Sequence, residues 1–561
     1  MAGRLAVLLL VSLLLFSTAG FLGVAADESQ AYWIESLGDS GWLRLNTATL
    51  LDDGSIIAVG WIAREKYNGD LMVIKFSPYG TVEWAKVYGG PGDDYPTGVT
   101  IGPNGDIIVV GTTSSYGSGS YDVWVLRLYP DGKIRWQKTY GGPGDDRAMD
   151  VAIDHAGKIV VVGGTTSYGA NPGESSDLWV LKLSGTGDVV WSRTYGRTKW
   201  DWGDSVAVDG SNNIYVGGVY WLGVSAPYSH FGDGGSGWIL KLDTNGNVVW
   251  NRMLGGVDNE WVSGIALLDG DVIFVGSTKS FGAGDYDLWV GRLDSDGNLK
   301  WVKSYGGTSR DVGTSLLVLN QYCGFLVGYT YSAQEVTGSK AWILRFSPGS
   351  GEVDWQRVYG GEGDDHAFGI AGSPDGIVVL GASSSFGKAQ RSAWILKLQT
   401  SGTVFKEGVK DSDLVYQSFK AWSYSPNPTI AAPSIEPSEV EPVVKESSTA
   451  PKDVSLPVSV QYYYGALPPT TTTTTSSTTT STTSTTTTTS TTSTTTTVTT
   501  TTTTTVTQTS TTSSPSTTST APTTTSTTSS SSSSSSGGGG ICGPGLMVLL
   551  GVGVLAARRR P

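Results

Sequence analysis

LYPDGKIRWQKTYGG, residues 128–142, carries a glycine at 132 and, four residues later, a tryptophan at 136. The same spacing returns at Gly80/Trp84, Gly187/Trp191, Gly246/Trp250, Gly297/Trp301 and Gly351/Trp355. The register continues to Gly402, where Lys406 stands in the tryptophan position, and Trp33 holds the place before the first pair. These anchors are separated by seven steps of 51 to 59 residues, and self-similarity at such a period is the signature of a repeat architecture.

Each step holds four short runs rich in Val, Ile, Leu and Trp and bounded by Gly, Asp, Asn or Ser. MDVAI, KIVVVGG, DLWVLKL and DVVWSRTY in 149–195 are one set. Such runs read as strands, and no stretch shows a useful helical apolar period. The third run repeats a bulky residue: Met72, Trp124, Trp179, Trp238, Trp289, Trp342 and Trp394, each followed three residues later by Lys or Arg. One large side chain per unit at one level wedges neighbouring sheets together. A row of isolated four-stranded sheets would leave edges open, whereas a radial arrangement buries both faces of each. The expectation is an all-β chain: a seven-bladed β-propeller of four-stranded antiparallel blades over residues 27–410.

The fourth run reads W-x-(K/R)-x-(Y/L) in six units, as in Trp136-Lys138-Tyr140, which places the three side chains on one side of a strand. A cation between two ring faces there gains from both. Next comes YGGPGDD, at 88–94 and 140–146, and YGGEGDD at 359–365. Its last acid recurs as Asp94, Asp146, Asp201, Glu260, Asp311 and Asp365. A catalytic carboxylate is needed once or twice. One per unit reads as an acceptor for turn amides or a partner for the neighbouring Lys/Arg. If the unit-joining turns share a face with the loops between second and third strands, their acids also form a rim able to attract cations or a basic partner. Calcium would need six or more converging oxygens.

Over nearly all of residues 30–408 the chain resembles the SBBP-type tandem β-propeller repeats of bacterial and archaeal surface proteins, a group defined by fold more than activity. The G-x-x-x-W spacing also resembles the tryptophan-docking repeats of quinoprotein propellers. Those imply an eight-bladed ring and, in many members, adjacent cysteines, and neither feature is read here.

Irregular units are the better places for function. The longest lies between Trp191 and Trp250; its opening turn is YGRTKWDWGD and its second loop is VYWLGVSAPYSHFGDGGSG. The next turn, GGVDNEW, adds one more tryptophan. Together they bring Trp200, Asp201, Trp202, Trp221, Tyr228, His230, Asp233 and Trp261 into or beside loops of neighbouring blades. Exposed rings edged by carboxylates form a cleft for sugars or peptide side chains; the same rings would also serve to pack a long loop onto its blade.

Both ends carry address signals. Residues 1–26 have an early arginine, an apolar run and small residues before Asp27, which reads as a signal peptide. Residues 411–468 read as a Pro-rich linker without a stable fold, and 469–540 as a disordered Thr/Ser-rich stalk suited to O-linked sugars. Residues 541–561, ICGPGLMVLLGVGVLAARRRP, are a short apolar run closed by arginines that favour the cytoplasmic side. Stalk, Cys542-Gly-Pro-Gly, apolar run and arginines in that order resemble the CGP-CTERM sorting signal of archaeal surface proteins. The resemblance implies lipid attachment at Cys542 after tail removal; the residues alone leave a plain membrane anchor open.

A formal charge of −13 over 561 residues argues against nucleic acid as partner. The three histidines fall at unrelated repeat positions, so no metal trio is read, no cofactor is indicated, and no nucleophile-elbow or phosphate-loop motif occurs. The sequence therefore favours a propeller secreted to the outer face of the cell membrane, anchored there, and binding a glycan or surface protein without catalysis. An extracellular hydrolase or quinoprotein-like oxidoreductase is the alternative, and a purely structural envelope component a third reading.

Overall fold

In the computed structural model, residues 41–63, 69–196, 199–221, 235–333, 338–385 and 391–402 are described, together with the backbones of short strands at 34–37 and between 416 and 463. The signal segment, Trp33, Tyr228, His230, Asp233, Lys406, the stalk and the Cys542 tail lie outside the described residues. Seven antiparallel sheets form a ring. Blade 2 is typical: Asp94–Ile101, Ile107–Thr113, Asp122–Leu128 and Ile134–Gly141, paired in chain order. The first strand of every blade packs beside the first strands of its neighbours, from Trp42–Leu50 in blade 1 round to Asp365–Ser373 in blade 7.

Ring closure uses the amino-terminal strand. Blade 7 takes three strands from 365–398 and its fourth from Ile34–Leu37, antiparallel to Ser392–Leu398. Strands from the two ends of the repeat thus meet in one blade. Six of the seven outer strands also receive a further short strand from the stretch read as a linker: Tyr416–Gln417 joins blade 6, and later pieces join blades 5, 4, 3, 2 and 7 in turn.

Packing follows the repeat. Every third-strand Trp is fully buried and lies against the preceding blade. Trp179 packs on Ile108, Val110 and Val125 of blade 2, and Trp394 on Phe325, Val327 and Ile343 of blade 6. Met72 does the same against blade 7, beside Val378 and Leu380. In five blades the cation three residues on crosses the opposite seam to a carbonyl of the next blade, as Arg127 Nη1 does to Gly185 O at 2.5 Å and Lys182 Nζ to Thr244 O at 3.1 Å. Lys397 Nζ closes the circle on Pro78 O at 3.0 Å.

The glycine and tryptophan of one motif do not meet each other. Gly187 of blade 3 takes φ 79°, a left-handed turn that favours glycine. A side chain there would strike Trp136 of blade 2 at 3.0 Å. Tyr140 of blade 2 donates its hydroxyl to the same residue's carbonyl at 2.5 Å. Tyr88, Tyr195, Tyr305 and Tyr359 repeat this bond at 2.5 to 2.6 Å. In blade 4, where Leu254 replaces tyrosine, Arg252 Nε supplies the donor to Gly297 O at 2.9 Å. The expected cation between two rings is realised as arginine over the motif's own tryptophan in Arg193, Arg252 and Arg357, 5.2 to 5.8 Å from the ring centre. Lys138 instead pairs with Asp188 of the next blade at 3.0 Å.

Candidate functional site

YGGPGDD is a closed hydrogen-bond device. Asp146 is fully buried. It accepts from the Gly142 amide at 2.7 Å, from Ser167 Oγ at 2.6 Å and from Thr165 Oγ1. Gly141 is needed because a Cβ there would sit 1.9 Å from Asp122 Oδ1 and 2.9 Å from Asp146 Oδ2. Asp94, Asp311 and Asp365 accept in the same way from Gly90, Gly307 and Gly361. Burial raises the pKa of all four carboxyls, opposed by these hydrogen bonds. The acid's partners are amides and hydroxyls of the turn and of the loop after the second strand, so both sets of loops open on one face.

Alternation on a strand sends the residue after the buried acid the other way. Around the ring that residue is Tyr95, Arg147, Trp202, Trp261, Val312 and His366, with Arg44 in the matching register of blade 1. Two residues later each first strand bulges, at Asn46, Thr97, Met149, Asp204, Ser263, Thr314 and Phe368. The bulge re-aims the strand, and three of the residues that occupy it reach the backbone of the next blade. Asn46 donates to Pro96 O at 2.5 Å, Ser263 to Gly313 O at 2.6 Å and Thr314 to Ala367 O at 3.0 Å. Each of these bonds stitches one blade to the next.

Between blades 2 and 5 the stitch changes. Thr97 turns its hydroxyl to Val110 of its own blade at 3.4 Å. Met149 has no hydrogen to donate, and the carboxylate of Asp204 only accepts. Here a cavity of about 310 Å3 opens, walled by Arg44, Tyr95, Arg147, Trp202 and Trp261 with Thr97, Met149 and Asp204 below them. Trp200, Trp221, Val219 and Asp145 complete its rim. The volume is at the lower end for small-molecule sites, and an aromatic wall with a few polar groups is their usual composition.

Neighbours fix these rings. Trp202 lies over Gly164 of blade 3, where a Cβ would be 2.7 Å from the indole. Trp261 packs against Tyr286 with centroids 5.1 Å apart, and its carbonyl accepts from Trp289 Nε1 at 2.9 Å. Tyr95 stacks on Trp61 at 5.6 Å; burial and the nearby Asp93 push its phenol up to about 12. Arg147 sits 4.3 Å over Tyr121 and 3.5 Å from Asp145.

Four of the sequence candidates, Trp200, Trp202, Trp221 and Trp261, therefore surround one space. They are less exposed than expected: Trp221 and Trp261 are buried, and Trp200 and Trp202 half-buried. Asp201 is not on the wall. It is 1 % exposed and accepts the Trp221 amide at 2.9 Å, so it positions that ring from beneath. Arg44, Tyr95 and Arg147 went unread in the sequence, although aligning units on the repeated acid and reading the next column exposes them.

On the blade 7 side the ring position holds His366. Arg391 donates to its Nδ1 at 3.0 Å, which leaves the proton on Nε2, toward Ser339 Oγ at 2.7 Å. Ser339 Oγ in turn donates to Asp364 at 2.9 Å. Burial, with Arg391 beside it, lowers the imidazole to about 4, and Tyr329 stacks on it at 4.1 Å. With Nδ1 taken by an arginine and Nε2 donating, this histidine is not a base toward Ser339.

No family model matches the chain. The regulatory protein FlaEY of Caulobacter vibrioides is 22% identical over 373 residues, covering 56% of this chain and 39% of that protein. The chain thus spans about two fifths of that relative's length. Among solved structures, the β-propeller domain of the Trilobed protease from Pyrococcus furiosus is 11% identical with a TM-score of 0.36, over 64% of this chain and 96% of that one. The polysaccharide lyase Uly1 is 6% identical with a TM-score of 0.41, over 65% and 99%. Puromycin hydrolase is 14% identical with a TM-score of 0.38, over 65% and 55%. The likeness is one of fold.

Proposed function

We propose that the propeller binds a saccharide in this cavity, and that the chain displays this site on the outer face of the cell membrane. The cavity carries the reading. Indole faces from Trp202, Trp221 and Trp261 offer apolar planes for sugar rings. Asp145, Asp204 and Arg147 supply the polar edge that hydroxyl groups require. Display rests on the sequence signals: an export segment before the propeller, a Thr/Ser-rich stalk behind it, and a tail with Cys542 resembling a sorting signal.

Binding without turnover is the expected behaviour. The test is a saccharide array probed with the full chain and with Trp202→Ala. At least a tenfold loss of affinity in a folded variant is expected. Unchanged binding would move the site off this cavity, and release of shortened saccharides during incubation would replace the binder by the hydrolase reading.

A further inference from the structure

Three cations that cross the blade seams are matched by carboxylates. Arg127 meets Asp106 at 2.7 Å, Lys182 meets Asp154 at 2.9 Å and Arg292 meets Asp271 at 2.7 Å. Arg44 is not. It lines the cavity, its Nε is buried without a hydrogen-bond acceptor, and among the described residues it forms no ion pair. Its aromatic neighbour is Trp61, 5.9 Å from ring centre to guanidinium. Its charged neighbour is Arg391, which with burial presses against its charge.

The nearby acids are committed elsewhere. Asp93 accepts the Gly69 amide at 3.0 Å, and Asp145 faces Arg147. Asp204 stands on blade 4, away from blade 1. Nor does the fold require an arginine here, because Val312 fills the same ring position in blade 6. A guanidinium held beside a second cation, with buried Nε unsatisfied, is arranged for an anion from outside. Its planar fork matches a carboxylate through two parallel hydrogen bonds.

Resting on the saccharide reading, we propose that the ligand is an acidic saccharide, a uronic-acid oligomer whose carboxylate is received by Arg44 while its rings lie against Trp202 and Trp261. The cavity suits such a ligand: Arg44 stands on the blade 1 side, while on the blade 3 and 4 side Arg147 is matched by Asp145 and Asp204 adds a carboxylate for hydroxyl groups.

The experiment uses the full chain with oligogalacturonate, oligoglucuronate, their methyl esters and a neutral galacto-oligosaccharide, by calorimetry at low and high salt. At least one uronate is expected to bind ten times or more tighter than its ester, with an affinity that falls as salt rises. Arg44→Gln should remove the preference for acid over ester, and Arg44→Lys should restore part of it. Equal binding of acid, ester and neutral probes overturns the carboxylate assignment and leaves the saccharide reading standing. Binding of none of them overturns both. Loss of all binding in Arg44→Gln, with its thermal transition unchanged, would make Arg44 a wall of the cavity and not a reader of charge.

Discussion

Two arcs of one ring share their register and differ in the residues at two positions of each first strand, the ring position and the bulge. From blade 5 to blade 7 the bulged residues are Ser263, Thr314 and Phe368, and the hydroxyls of the first two each close a seam on the next blade's backbone. From blade 2 to blade 4 the same bulge carries Thr97, Met149 and Asp204, the seams are bridged instead by the neighbouring Asp150, which accepts the Val206 amide at 2.9 Å, and Ser205, which accepts the Ile265 amide at 3.2 Å, and the cavity lies there. Backbone, register and wedge tryptophans are alike in both arcs. The site is therefore a matter of what fills a fixed position, and the scaffold around it is indifferent to the choice.

The largest effects should separate scaffold from site. Trp342 is wholly buried in blade 6, packed against Ile273, Val275 and Val290 of blade 5. Trp342→Ala should cost about 3–5 kcal/mol, the range for a large aromatic removed from a core, while saccharide affinity stays unchanged below the transition. Trp202→Ala should reverse the pattern, losing binding with a far smaller loss of stability because its ring is half-buried against the cavity. Denaturant unfolding paired with calorimetry reads both. Similar profiles for the two variants would break the comparison.

Asp146 belongs with the scaffold by the same logic. Asp146→Ala strands the Gly142 amide and the Thr165 and Ser167 hydroxyls, so a loss of about 2–3 kcal/mol is expected from unsatisfied buried donors. A variant that lost binding and kept its stability would move the repeated acid from turn to site.

The scaffold acids also set a pH dependence. Burial raises the Asp177 carboxyl to about 7, opposed by the Ala170 amide, whereas it ionises near about 3.9 in an unfolded chain. Between those values the folded chain holds a proton that the unfolded chain has lost, so stability falls as pH rises through the window. Asp70 and Asp287, raised to about 6 by burial, act in the same direction. Thermal transitions at pH 5 and pH 8 should show the protein more stable at the lower value. Asp177→Asn, which cannot ionise, should reduce that difference, and an unaltered slope would remove Asp177 from the account.

What the sequence disclosed follows the same division. Blade number, the wedge tryptophans and the structural use of Asp146 were legible because they recur, and recurrence at one level has a simple steric meaning. Partners were not. Gly132 and Trp136 look like one device in the chain, yet Trp136 docks on Gly187 of the next blade, a contact that only ring geometry creates. Trp200, Trp202, Trp221 and Trp261 were singled out because they break the pattern, and the structure sets them around one cavity. Arg44, Tyr95 and Arg147 were missed because each is ordinary alone; they gain meaning only in a column that varies beside a column that does not. Asp201 was read with the irregular tryptophans for a related reason, but it occupies the regular acid position and is buried, accepting the Trp221 amide.

The smallest effect tests the bulge itself. Thr314 donates to both Val327 O at 3.1 Å and Ala367 O at 3.0 Å, so Thr314→Val removes the stitch between blades 6 and 7 while keeping its shape. A loss of about 1 kcal/mol is expected for one such bond. Asp204→Ser runs the other way, placing a short hydroxyl where blade 4 has only an acceptor. If the bulge is what opens a seam, this serine reaches the Val262 carbonyl, as Ser263 reaches Gly313 one blade on. Stability should then rise by about 1 kcal/mol as saccharide affinity falls. A variant that loses affinity without gaining stability would mean that Asp204 matters for the hydrogen bonds it accepts and that the open seam has another cause.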